Sequence, residues 1–222
     1  MDGFPPVMVW AWEREEDLRF LDCSQMGIAY LAGTLQLQDE EALMRPRFQP
    51  LRAPQGCRMM AVVRIESRSA ALSLEQRQEA VKKILAVVPL ERAHGLQIDF
   101  DARLSERGFY RALLQDLRRE IPAQWPLSMT ALASWCLYDG WLGGLPVDEA
   151  VPMLFHMGAD GPRVRSFLDS GRDFRPPSAR GSYGLYSRDT APRLRPGRRL
   201  YLFHPEAWGK ASLNTFLARV RP

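Results

Sequence analysis

Eight short apolar runs, set apart by charged, amphipathic or Pro-rich stretches, constrain this chain more than any other feature. They are Val7–Trp12, Ile28–Leu37, Arg58–Ile65, Gly95–Asp101, Leu127–Ala133, Ala150–Met157, Ser182–Tyr186 and Leu200–Phe203. Each is strand-sized, and none approaches the roughly 18–20 uninterrupted apolar residues of a membrane span. Between the third and fourth runs, Ser73–Val88 has helical spacing, with Leu74, Ala80, Val81, Ile84 and Leu85 on one face. Ser73 and Gln76 form a capping-box pattern at its start, and Pro89 marks its end. Leu104–Ile121 is the clearest helix, with Phe109, Leu113, Leu114 and Leu117 as its stripe and Pro122 as its stop. Ser212–Val220 closes the chain as a helix.

Strand and crossover repeated about eight times predict a parallel sheet, and eight units favour closure into a (β/α)8 barrel of the TIM type. The 222 residues suit one such domain over 1–222 and make the spacing tight. Some helices must therefore be abbreviated, with Trp135–Leu145 and Arg188–Arg198 as the candidates. An open doubly wound sheet is the alternative, but the chain has no G-x-G-x-x-G or P-loop turn.

Composition narrows the partners. The chain is 46% hydrophobic and 25% charged, as in ordinary soluble proteins. Its +4 net charge comes from scattered arginines rather than a nucleic-acid motif, so no nucleic-acid partner is expected, and the short apolar runs lead to no integral membrane segment. Cys23, Cys57 and Cys136 lack C-x-x-C spacing, which argues against a zinc site and leaves one disulfide plus a free thiol open. The N-terminus carries no signal-peptide pattern. The expectation is a soluble protein, either cytoplasmic or exported with its leader absent from this chain.

Barrel enzymes place their chemistry at the C-terminal ends of the strands. Alternation puts Gln97, Asp99 and Asp101 on one face of the fourth run and Leu96, Ile98 and Phe100 on the other. The apolar set suits the outer helices, so the polar set is expected to point inward. The same parity places Arg64 and Glu66 together on the third strand, with an Arg64–Asp99 pair offsetting burial. The more desolvated carboxyl of the pair is expected to have the raised pKa, and Asp101 is assigned that donor role. Asp99 is assigned as its ionised partner, and Glu66 as a further carboxylate. Trp12, Glu13, Trp135, Met153, Phe155, His156 and Trp208, at or just beyond strand ends, join Arg64 and Gln97 as substrate-binding candidates. An oxygen-ligand ring of Glu13, Glu66, Asp99 and Asp101 around a divalent cation, and a Cys136–His156 thiol pair, are minor alternatives. No metal and no cofactor are expected.

The stretch His94-Gly95-Leu96-Gln97-Ile98-Asp99-Phe100-Asp101 resembles the D-G-x-D-x-D-x-E strand of chitinase-like glycosidases (glycoside hydrolase family 18). Met153-Leu154-Phe155-His156 resembles that family's M-x-Y-D, and both fall on the strand number the family requires. More closely, Gly95 through Tyr110, Ser134-Trp135-Cys136 and Pro152-Met153 resemble an uncharacterised bacterial family defined only as a domain of unknown function (DUF3142-like). The glycosidase resemblance implies Asp101 at the catalytic acid, Asp99 orienting a substrate acetamido group, and Phe155 with His156 beside it. Gln97 and His94 depart from the motif's acids, and Asp101 is one methylene shorter than the family's Glu. The function expected is a carbohydrate-active protein, a glycoside hydrolase acting on an oligo- or polysaccharide. The alternative is a non-catalytic sugar-binding or scaffolding protein on a degenerate barrel.

Overall fold

The computed structural model describes residues 1, 3–68 and 71–220. The strands are β1 (Val7–Ala11), β2 (Glu16–Asp17), β3 (Met26–Gln38), β4 (Glu41–Pro46), β5 (Leu51–Arg52) and β6 (Met59–Ser67). They continue as β7 (Gly95–Asp99), β8 (Leu127–Leu132), β9 (Glu149–Met153), β10 (Ser182–Tyr186) and β11 (Arg199–Phe203). The helices are α1 (Leu74–Val87), α2 (Arg107–Glu120), α3 (Ala133–Tyr138), α4 (Gly161–Asp169) and α5 (Lys210–Val220). Strands β1, β3 and β6 to β11 pair in parallel in that order, and β11 pairs back with β1, which closes an eight-stranded barrel. These are the eight runs the sequence marks. No helix among the described residues is long and apolar enough to cross a membrane.

The alternation sorts the side chains as expected. Leu96, Ile98 and Phe100 join Val63, Ile65, Leu113 and Leu117 in the layer between barrel and helices. Met8, Trp10, Ala29, Met60, Val62, Val151, Tyr201 and Phe203 fill the interior. Gly184 permits this filling: a Cβ there would stand 2.5 Å from the sulfur of Met153, so a side chain at 184 would displace the methionine. The N-terminal end of the barrel is sealed by polar groups. Arg199 Nη1 donates to Glu149 Oε1 at 2.8 Å, and Tyr201 donates to Glu149 Oε2 at 2.7 Å. Arg199 also donates to the carbonyls of Phe4 and Pro5. A charge buried this deeply is tolerated because it is paired and hydrogen-bonded.

The helical crossovers are unevenly developed. α1 begins one residue after Ser73, whose hydroxyl accepts from the Gln76 backbone N–H at 3.0 Å. The predicted box is only half made, because the Gln76 side chain donates instead to Glu41 O at 2.7 Å. Leu74, expected on the apolar face, is 50% exposed. α2 buries Phe109, Leu113, Leu114 and Leu117, as its periodicity predicts, and ends before Pro122. Trp135–Leu145 supplies only the short α3, and Arg188–Arg198 supplies no helix.

No α-helix links β1 to β3 or β3 to β6. The second gap holds the antiparallel β3–β4 hairpin, and β2 pairs with β5 beside it. A Cys23–Cys57 disulfide ties these connections together, leaving Cys136 as a buried free thiol.

Candidate functional site at the barrel mouth

At the C-terminal end, half of the mouth is polar. β6 contributes Arg64 and Glu66, β7 contributes Asp99, and β8 contributes Thr130. Arg64 and Asp99 are register partners, with Nη1 and Oδ2 3.8 Å apart. The Thr130 hydroxyl donates to Asp99 Oδ1 at 2.7 Å. Arg64 Nε also lies 3.3 Å from Glu66 Oε1, and the Gln36 amide donates to Glu66 Oε2 at 3.4 Å. Asp101, two residues past Asp99, lies beyond the end of β7 and is exposed. It forms no hydrogen bond or ion pair among the described residues. A cavity of about 340 Å³ opens here, lined by Arg64, Glu66, Asp99, Asp101, Arg103 and Glu106 among others.

Desolvation falls on Asp99 and not, as the sequence suggests, on Asp101. The Asp99 side chain is only 13% exposed, and burial is the largest influence raising its pKa. The Thr130 hydroxyl and Arg64 pull the value down, while Asp101 and Glu66 push it up, and the net shift is upward. The physical reason is position along the strand. Asp99 is still within the sheet, whereas the chain has left it by Asp101.

The other half of the mouth is aromatic. Trp10, Trp12, Phe155, Tyr186 and Phe203 come from or just beyond β1, β9, β10 and β11. Their rings form a connected wall: Trp10 lies 4.4 Å from Phe203, Phe155 4.8 Å from Phe203, and Phe155 5.7 Å from Tyr186. The Arg64 guanidinium stands 5.8 Å from the Trp12 ring, joining the two halves through a cation–π contact. His156, in the left-handed region at φ 49°, is exposed and lies 5.1 Å from the Tyr186 ring. Tyr186 brings a hydroxyl to the wall where Phe155 has none. Its place at the end of a predicted strand was the signal available in the sequence.

Several candidates are placed elsewhere. Gln97 is fully buried and donates to Ser128 at 2.7 Å, inward of the mouth, so it belongs to the barrel's internal network. Trp135 is 5% exposed, because α3 starts at Ala133 and turns the indole into the outer layer against Trp141. Trp208 is also 5% exposed, donates its indole N–H to Trp10 O and stacks on His204. Met153 faces inward and is partly buried beneath the aromatic wall. Glu13 turns its carboxylate to the backbone N–H groups of Phe48 and Gln49, at 3.0 and 2.9 Å. Among the described residues, no group of three or more His, Cys, Asp or Glu side chains is arranged to hold a metal ion. Cys136 lies fully buried in the outer layer, where burial drives its thiol pKa far up and leaves it a poor nucleophile.

A larger cavity of about 830 Å³ lies on the flank, lined by Tyr30, Arg47, Cys57, Arg92 and His94 among others. It sits outside the barrel, beside the connection where a crossover helix is missing. Position at the strand ends favours the smaller cavity as the site.

Residues 55–160 match a family described as "Domain of unknown function (DUF3142)". That span contains β6, β7, β8 and β9, and with them the polar half of the mouth, Phe155 and His156. No curated protein matches the chain.

Proposed function

We propose that the protein is a carbohydrate-active barrel, a glycoside hydrolase acting on an oligo- or polysaccharide by carboxylate acid–base chemistry. The observation that carries this reading is the two-sided mouth. An aromatic group of Trp12, Phe155 and Tyr186 shares the strand-end face with a polar group of Arg64, Glu66, Asp99 and Asp101, and the two meet where the Arg64 guanidinium stands 5.8 Å from the Trp12 ring. A sugar ring has apolar C–H faces and a polar rim, and it needs both kinds of surface.

In this reading Asp101 is the proton donor on access alone, because it is the carboxyl that solvent and substrate can reach, while burial raises the pKa of Asp99 instead. Its proton passes to the glycosidic oxygen as the C–O bond breaks. A water then adds to the anomeric carbon and returns a proton to Asp101. Asp99, deeper and held by Thr130 and Arg64, orients the substrate and tunes the charge beside Asp101. Preference for N-acetylated sugars rests on the resemblance of 94–101 to chitinase-like glycosidases.

One observation favours the non-catalytic reading. Gln97 stands where that motif has an acid, and it is committed to Ser128 within the barrel. A screen of chromogenic glycosides and insoluble polysaccharides, read by released product and by co-sedimentation, separates the two. Product release supports the hydrolase, and binding without product supports the sugar-binding protein. Neither signal on any glycan would overturn the carbohydrate reading.

A further inference from the structure

Phe48 is the most exposed of the large apolar side chains among the described residues, at 89%, yet its loop is firmly held. The neighbouring Arg47 donates through Nη1 to Ala11 O and Trp12 O, through Nη2 to Arg14 O, and through Nε to Gln49 O. Glu13 accepts from the backbone N–H groups of both Phe48 and Gln49. These bonds fasten the loop to the mouth end of β1. An uncovered ring on a mobile tip needs no explanation, but here a half-buried arginine and a carboxylate fix the backbone that presents it.

The ring borders a second cavity of about 480 Å³, lined by Glu13, Thr34, Gln36, Arg45, Phe48, Gln49 and Glu66, with Pro46 at its edge. Glu66 also lines the Asp99–Asp101 cavity, so the two cavities share one wall. Its Oε1 lies toward Arg64 and its Oε2 toward Gln36, one oxygen for each side. Both volumes fall within the roughly 300–1,000 Å³ range of small-molecule pockets.

We infer that this second cavity is a subsite for the next sugar of a linear oligosaccharide. The chain crosses Glu66 from the Asp99–Asp101 cavity, Phe48 is the stacking platform, and Gln36 and Thr34 meet the hydroxyls. The inference rests on the carbohydrate reading and extends it to an extended rather than a single-sugar ligand. Glu13 and Arg47 are positioning residues that act through the Phe48 loop.

The test is titration calorimetry of the full chain with N-acetylglucosamine oligomers and cello-oligosaccharides of one to four units. The wild type should gain tenfold or more in affinity between one and three units. Phe48→Ala should abolish that gain while leaving single-sugar affinity within twofold and the melting temperature unchanged. Phe48→Trp should retain the gain, which a merely structural role would not predict. Length-dependent binding that is indifferent to Phe48→Ala would overturn the subsite alone. An absence of binding at every length would overturn the carbohydrate reading and the subsite with it.

Discussion

Arg64 and Asp99 face each other from adjacent barrel strands, with the guanidinium and the largely buried carboxylate 3.8 Å apart. Arg64 does not belong to Asp99 alone, since its Nε lies closer to Glu66, at 3.3 Å. A cation shared between two carboxylates and held partly in solvent compensates the buried one incompletely. Burial therefore wins at Asp99, and its carboxyl holds a proton above the ordinary value of 3.8.

This has a signed consequence for stability. The folded state binds the Asp99 proton more tightly than the unfolded chain, so stability falls as pH rises through the window between the ordinary and the raised value. Asp99→Asn removes that titration. Urea unfolding across pH 3–8 should show wild type losing stability relative to Asp99→Asn as pH rises through this window. A relative gain by wild type would mean that Arg64 and Thr130 overcome burial.

The Glu149–Arg199 pair at the other end of the barrel is a structural counterpart, with side chains 2% and 13% exposed. Removing one member leaves an uncompensated buried charge, which costs about 3–5 kcal/mol. Arg199→Met should lower the urea midpoint accordingly. A loss under about 1 kcal/mol would show that the N-terminal seal is not held by this pair.

The Cys23–Cys57 bond spans a sequence separation of 34 and fastens connections that lack helices. Loop-closure entropy for that length gives roughly 3–4 kcal/mol of stabilisation. The double Cys→Ser variant should melt well below wild type in non-reducing buffer, and the two should coincide in reductant. Equal melting in both buffers would contradict the bond's contribution.

The Ser73 cap is a smaller test of local chemistry. Ser73→Ala removes one acceptor for the Gln76 N–H and should cost about 1 kcal/mol in urea unfolding. No change would mean that the Gln76 side-chain anchor to Glu41 O holds the first turn unaided.

The barrel was legible because its strands are apolar runs with inside–outside alternation, and that parity correctly turned Asp99 inward beside Arg64. The β3–β4 hairpin was not legible. β4 is the mixed run Glu41–Pro46, mostly exposed, with no apolar periodicity to mark it. Trp135 and Trp208 follow strand ends in sequence, yet an immediate helix start turns one outward and an indole bond to Trp10 O holds the other. The difference in burial between Asp99 and Asp101 depended on where the sheet ends, which alternation alone does not resolve. Phe48 lay in a segment with no motif, and only its tertiary bonds to β1 mark it out.

The proposed hydrolase cleaves glycosides at the two-sided mouth with Asp101 as the acid. The most direct measurement compares turnover and affinity of wild type and Asp101→Asn on the best glycan from the screen. Asp101→Asn is expected to show a roughly 10²- to 10⁴-fold fall in kcat with binding held within a few-fold. Equal turnover in the two proteins would contradict it.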